Sequence, residues 1–165
     1  MLVLRSPRKL ESLRGTRDML RIKRTYTPPA REDGHRILVE RLWPRGMTKA
    51  ALAADTWMKE VAPSAELRKW FGHRPERWVE FRERYWKELD SRPEAWEPLA
   101  EASGRGTITL LYSARDTLHN GALALRDYLV ERRSSGPRRK SNVRRRARMS
   151  HPSPTKSGHP NAVDR

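Results

Sequence analysis

The sequence predicts an α/β fold: a single small three-layer domain with a short, mostly parallel sheet flanked by helices. Three observations lead there. Two runs, Ile37–Leu42 and Thr107–Ser113, carry strand chemistry. Between them lie stretches in which apolar residues recur at helical spacing. Strands separated by helices build layered α/β domains. The charge pattern then confines this domain to the middle of the chain, residues 19–133.

Met19 opens "MLRIKRTY" and is the expected start of the domain. Arg21–Tyr26 reads as a short strand closed by Pro28 and Pro29. "EDGHR", Glu32–Arg36, reads as a turn around its Asp-Gly pair. Ile37, Leu38 and Val39 are consecutive apolar residues, which suits a strand buried on both faces in the middle of a parallel sheet. Ser64 is an N-cap for a short helix through Phe71, and Pro75 fits the first position of the next. In that second helix Trp78, Phe81, Tyr85 and Leu89 share one face, widened by Trp86. Glu80 with Arg84, and Glu83 with Lys87, are i,i+4 pairs on its wet side. Pro93 opens a third helix that Pro98 is expected to bend or break. "TITLLYS", Thr107–Ser113, is the second strand. Leu118, Ala122, Leu125 and Leu129 mark a final helix, with Asp116 as its expected N-cap.

The ends differ from this middle. Lys and Arg number 36 against 20 Asp and Glu, a formal net charge of +16. Residues 1–19 hold 5 basic and 2 acidic side chains, residues 20–133 hold 22 and 17, and residues 134–165 hold 9 and 1. The excess therefore belongs to the ends, and the domain itself gives no electrostatic case for nucleic acid. Residues 1–18 lack a pattern and read as a disordered or spurious extension. Residues 134–165 are rich in Ser, Pro and Arg and read as a disordered basic tail.

The chain has no cysteine. Thiolate metal sites, disulfides and cysteine nucleophiles are excluded, and a reducing cytoplasm fits. No window approaches the about 18 apolar residues that a membrane span needs. The five histidines are scattered without metal-ligand spacing, so neither a metal nor a cofactor is expected. No Gly-rich phosphate loop and no G-x-S-x-G occurs.

Ligands of open α/β sheets lie beyond the carboxyl ends of the strands. Here those ends are unusual. After the first main strand come Arg41, Trp43, Pro44, Arg45 and Gly46; after the second come Tyr112, Ser113, Arg115, Asp116, His119 and Asn120. If the strands are parallel neighbours, the two sets converge on one cleft. Arg41 and Arg45 are then anion clamps. Trp43 and Tyr112 are walls, Gly46 permits a sharp turn or a close approach, and Asn120 is a further binding group. His119, with Asp116 or Glu40, is the candidate for proton transfer. Each has a plainer reading. Trp43 at a strand end is more often a lid on the core, the arginines pair as readily with carboxylates, His119 is otherwise a solvated or structural histidine, and Asn120 otherwise caps or bonds a loop. Asp55 and Trp57 either line the cleft or serve as loop cap and core indole. His73 is assigned to the turn before Pro75.

Four stretches, "IKRTYTPP", "DGHRILVERLWPRGMTK", "DTWMKEVAPSAELRKWFGH" and "TLLYSARDTLHNGALAL", resemble in order and spacing the YeaO-like branch of the family called domain of unknown function 488. The resemblance covers about Met19 to Arg133. It implies a small bacterial cytosolic α/β protein and brings no reaction and no cofactor. The family's recurring positions fall on Asp33, Gly34, Arg36, Arg41, Trp43, Pro44, Arg45, Gly46, Trp57, Pro63, Ser64, Tyr112 and Asn120. Two positions depart from it. Glu40 stands where the family usually has Asp, and Gly121 where it often has His, which leaves His119 as the nearby imidazole.

Two function classes follow. One is a domain binding an anionic, nucleotide or phosphate-bearing ligand, with or without chemistry. The other is a non-catalytic regulatory or nucleic-acid-associating module. Its carriers are the basic residues Arg138, Arg139, Lys140, Arg144, Arg145, Arg146 and Arg148, which neutralise phosphates without reading sequence. The oligomeric state is open.

Overall fold

The computed structural model describes residues 19–134. The extension 1–18 and the basic residues from Arg138 to Arg148 lie outside the described residues. Ser134, expected to open the tail, instead ends the last helix.

The sheet has four strands among the described residues: β1 (Leu20–Arg24), β2 (His35–Leu38), β3 (Thr56–Trp57) and β4 (Ile108–Tyr112). Their spatial order is β1-β4-β2-β3, and every pairing is parallel. The two strands expected to be neighbours are so, with Ile37 opposite Leu110 and Leu38 opposite Leu111. β4 is central, and all five of its residues are buried. That burial explains its unbroken apolar run, because helices or loops cover both its faces.

The two faces are covered unequally. Period-2 alternation sends Ile37, Val39, Ile108, Leu110 and Tyr112 into one large core. There they meet α2 (Ala65–Phe71), α3 (Trp78–Asp90), α4 (Pro93–Ser103) and α5 (Gly121–Ser134). The amphipathic face expected in α3 is present: Phe81, Tyr85 and Leu89 are buried and Trp78 and Trp86 pack beside them. Full burial of each such side chain is worth about 1.5–3 kcal/mol. The opposite face holds only Leu38, Leu52 and Leu111, closed by the one-turn helix α1 (Lys49–Leu52) and by Trp43, Met47 and Trp57.

A polar layer completes that thin face. Arg36 is buried, donates to the carbonyl oxygens of Leu52 and Ala53, and pairs with buried Asp33. Lys23 reaches the same carboxylate at 2.9 Å. Burial alone pushes the Asp33 carboxyl up. The Ala30 N–H, Lys23 and Arg36 outweigh it and hold the carboxyl below its usual range. Gly34, at φ +63, lets the chain pass from this cluster into β2. A Cβ there would stand 2.2 Å from the Thr107 carbonyl oxygen.

Several boundaries differ from expectation. β1 stops at Arg24 rather than Tyr26. β2 stops at Leu38 rather than Leu42: β3 ends opposite it at Trp57, the Val39 N–H makes the last bond to β4 at Leu111, and Glu40 then bonds through its side chain. Thr56–Trp57 pairs with β2 as a two-residue edge strand, too short to show a pattern in the sequence. α4 runs unbroken through Pro98, which sits on its exposed side. The last helix begins at Gly121, and Leu118, expected on its buried face, is 68% exposed.

Candidate functional site

A cleft of about 670 Å³ opens at the carboxyl ends of β2 and β4. That is the place the topology favours, where strands from two crossovers end side by side. Three segments wall it: residues 39–42 after β2, the stretch from Ala62 to His73 that carries α2, and residues 113–122 leading into α5. Phe81 of α3 completes the lining.

The local sequence positions each wall. Ser64 caps α2 by accepting the Leu67 N–H at 3.1 Å, while its own N–H and hydroxyl are taken by Glu88 at 2.9 and 2.6 Å. Gly72 ends that helix in the left-handed conformation. Arg68 and Phe71, three residues apart, thus share a face toward the cleft. On the other side Asn120, not Asp116, caps α5. Its Oδ1 accepts the Leu123 N–H at 2.9 Å and its Nδ2 donates to the Asp116 carbonyl. Asp116 instead closes the tight turn before the helix, accepting the N–H groups of Leu118 and His119 at 2.8 and 3.0 Å. The expected N-cap is therefore displaced by four residues, because the turn at 116–119 delays the helix start.

The sequence-based site divides in two. Glu40, Arg41, Asp116, His119 and Asn120 line the cleft, together with Ser113 and Arg115. Trp43, Arg45, Gly46 and Tyr112 do not. Trp43 donates to the Met47 carbonyl at 2.7 Å and meets Trp57 edge-on at 5.2 Å, so it is a lid on the thin face. Arg45 is exposed, and its carbonyl accepts the Tyr26 hydroxyl. Gly46, at φ +70, turns the loop with nothing close to it. Tyr112 is buried in the large core, which pushes its phenol up. The convergence expected between positions 45 and 119 is thus absent, and Arg41 alone of that loop's cations reaches the cleft. The physical reason is the early end of β2: the chain turns away before Trp43.

Two cleft residues were missed. Arg68 stands at the border of the apolar stripe formed by Leu67 and Phe71, a placement that the helical wheel already held. His73 lines the cleft rather than only forming the turn before Pro75.

The electrostatics favour negative charge. Glu40 is spent on structure, since its two oxygens accept the Ser113 N–H at 2.8 Å and hydroxyl at 2.6 Å. Arg41 faces Glu60 at 3.5 Å with both side chains exposed, a pair of small worth. Arg68 and Arg115 have no carboxylate partner among the described residues, and the Arg68 Nε is buried without a hydrogen bond. That Nε is closed off from water, as is the Nε of Arg82 outside the cleft lining, so it is the rest of the Arg68 guanidinium that the cleft can meet. The N–H groups at the start of α5, a helix of 14 residues, add a positive end at Gly121 and Ala122.

Asp116 and His119 form a pair, Oδ2 to Nδ1 at 2.8 Å. The His119 contact, then the Leu118 N–H, hold the Asp116 carboxyl below its usual range. An ionised carboxylate on Nδ1 orients the ring and leaves Nε2 as the working nitrogen, an acceptor while the ring is neutral. The ring also stands edge-on against Trp78, 5.4 Å between centroids. Such a pair can hold a hydroxyl or accept a proton. Among the described residues no group of three or more acidic, His or Cys side chains is placed to hold a metal ion, and no helix is long and apolar enough to cross a membrane.

Comparison with known proteins places this geometry in a family. Residues 19–145 match the family model described as "Inactive DUF488-N3 subclade". The chain is 46% identical over 110 residues to the uncharacterized protein YeaO of Escherichia coli (strain K12), covering 67% of this chain and 96% of that protein. It is 38% identical over 110 residues to the uncharacterized protein Mb3100c of Mycobacterium bovis, covering 67% and 92%. No solved structure gives a significant match.

Proposed function

This chain belongs to the YeaO-like DUF488 family, in its inactive DUF488-N3 subclade, and from that premise we propose that its cleft binds a small anionic, phosphate-bearing ligand without turning it over. One observation carries the reading. Arg41, Arg68 and Arg115 line one hollow from three separate segments, and Arg68 and Arg115 have no carboxylate partner among the described residues. Guanidinium forks converging on one hollow suit the oxygens of an anion. The word inactive in the family description supports binding over catalysis. So does the lining, in which the Ser113 hydroxyl is already given to Glu40. The proposal places the protein in a bacterial cytoplasm, in keeping with its bacterial relatives.

The test is thermal stability of the full chain against phosphate, sulfate and a set of phosphorylated metabolites. At least one phosphate-bearing compound raises Tm, and Arg68→Met removes the rise while leaving the unliganded Tm close to wild type. No rise with any anion refutes the reading.

A second reading rests on the seven basic residues from Arg138 to Arg148: non-specific association with nucleic acid. A steep salt dependence of DNA or RNA binding, lost when residues 135–165 are removed, is the result expected of it. Equal binding by the shortened chain rejects it.

A further inference from the structure

The cleft is larger and more varied than an anion alone requires. Its volume, about 670 Å³, falls within the range that holds a whole drug-sized molecule. Apolar side chains form part of the wall: Leu42 is 68% exposed, and Pro63, Phe71 and Phe81 are buried side chains that show the cleft little surface. Inorganic phosphate fills little of this volume and leaves Leu42 in water, whereas a larger, partly apolar molecule covers it.

The polar groups are also of two kinds. The arginines only donate. His119 does not belong with them: Asp116 fixes its Nδ1 side, so the neutral ring presents Nε2 as an acceptor. A fully ionised phosphate offers such an acceptor no donor, whereas a sugar hydroxyl or a base amino group matches it. The occupant therefore needs three parts: an anionic head, a neutral donor and a flat or apolar body.

We propose that the ligand is a nucleoside monophosphate, its phosphate held by Arg68 and its neighbouring arginines, its sugar hydroxyl or base amino group received by His119, and its base against the apolar wall. This rests on the anion-binding reading and narrows it. Sugar phosphates meet the first two requirements and not the third; nucleosides meet the last two and not the first.

Calorimetric titration of the full chain with inorganic phosphate, ribose 5-phosphate, adenosine, AMP and UMP separates the cases. At least one nucleotide is expected to bind ten-fold or more tightly than phosphate, ribose 5-phosphate and adenosine alike. His119→Phe, which keeps the ring against Trp78 but lacks the acceptor, is expected to weaken the nucleotide about ten-fold and leave phosphate unchanged. Arg68→Met weakens both. Phosphate and nucleotides binding alike overturns the nucleotide assignment and leaves the anion site standing. Nucleotide binding that survives both substitutions puts it outside this cleft and overturns the assignment as well. No binding by any phosphate compound overturns this inference together with the reading beneath it.

Discussion

A double-mutant cycle at Glu40 and Ser113 measures how strongly one side chain ties two strand ends together. The Glu40 carboxylate joins the ends of β2 and β4 by accepting the Ser113 N–H and hydroxyl at 2.8 and 2.6 Å. The perturbation is a double-mutant cycle with Ser113→Ala and Glu40→Gln. Ser113→Ala removes one charge-assisted hydrogen bond, worth about 1.5–3 kcal/mol when dry. Glu40 is only half-buried, so water recovers part of the loss. We expect about 1–2 kcal/mol for each single change and a coupling of about 1 kcal/mol between them. For a domain of this size that corresponds to a Tm shift of about 4 °C per kcal/mol. Urea denaturation followed by tryptophan fluorescence reads the free energies, with six tryptophans as reporters. Strict additivity of the two substitutions would refute the clamp and return Glu40 to the list of groups free to act on a ligand.

Three further outcomes follow from particular contacts. Gly34→Ala brings a Cβ to 2.2 Å from a backbone oxygen at positive φ and is expected to cost more than about 3 kcal/mol, whereas Gly46→Ala, equally positive in φ but in open space, costs about 1 kcal/mol; equal costs in denaturant would show that the clash is not felt. Asp33 has a folded pKa below its unfolded value, so its contribution is complete above the ordinary carboxylate range and is lost as pH falls through the folded pKa. Asp33→Asn is expected to flatten that acid limb and to cost about 3–5 kcal/mol at pH 7 by stranding Arg36 and Lys23, and an unchanged limb in a pH series of unfolding midpoints counts against the cluster. Asn120→Ala removes the cap of α5 and costs about 1–2 kcal/mol in the same assay, a loss that Asn120→Asp recovers only in part because a carboxylate cannot donate to the Asp116 carbonyl; a neutral alanine substitution would mean that the cap is not made.

Much of the fold was legible because it rests on local chemistry. The unbroken apolar run at Ile37–Val39, the β-branched start of Thr107–Ser113 and the 3–4 spacing from Trp78 to Leu89 each state a burial pattern that few other arrangements satisfy. Ser64 and Pro93 open their helices as their backbone chemistry requires, whereas Pro75 opens a 3-10 turn, Pro75–Arg77, and the helix itself starts at Trp78. The site was half legible for the same reason. Strand-end polar residues pointed to the edge of the sheet where the cleft lies, and Asp116 and His119 lie three residues apart in one turn.

What the sequence determined alone is therefore the main strands and helices, the mostly parallel sheet and the polar character of two strand ends, since propensity and periodicity act over a few residues. What tertiary structure decided is membership of the cleft. Arg68 entered through the docking of α2, Arg45 and Trp43 left through the early end of β2, and Glu40 was captured by a serine 73 positions away. Such pairings depend on where separate segments stop against one another, and that distance in space has no trace in distance along the chain.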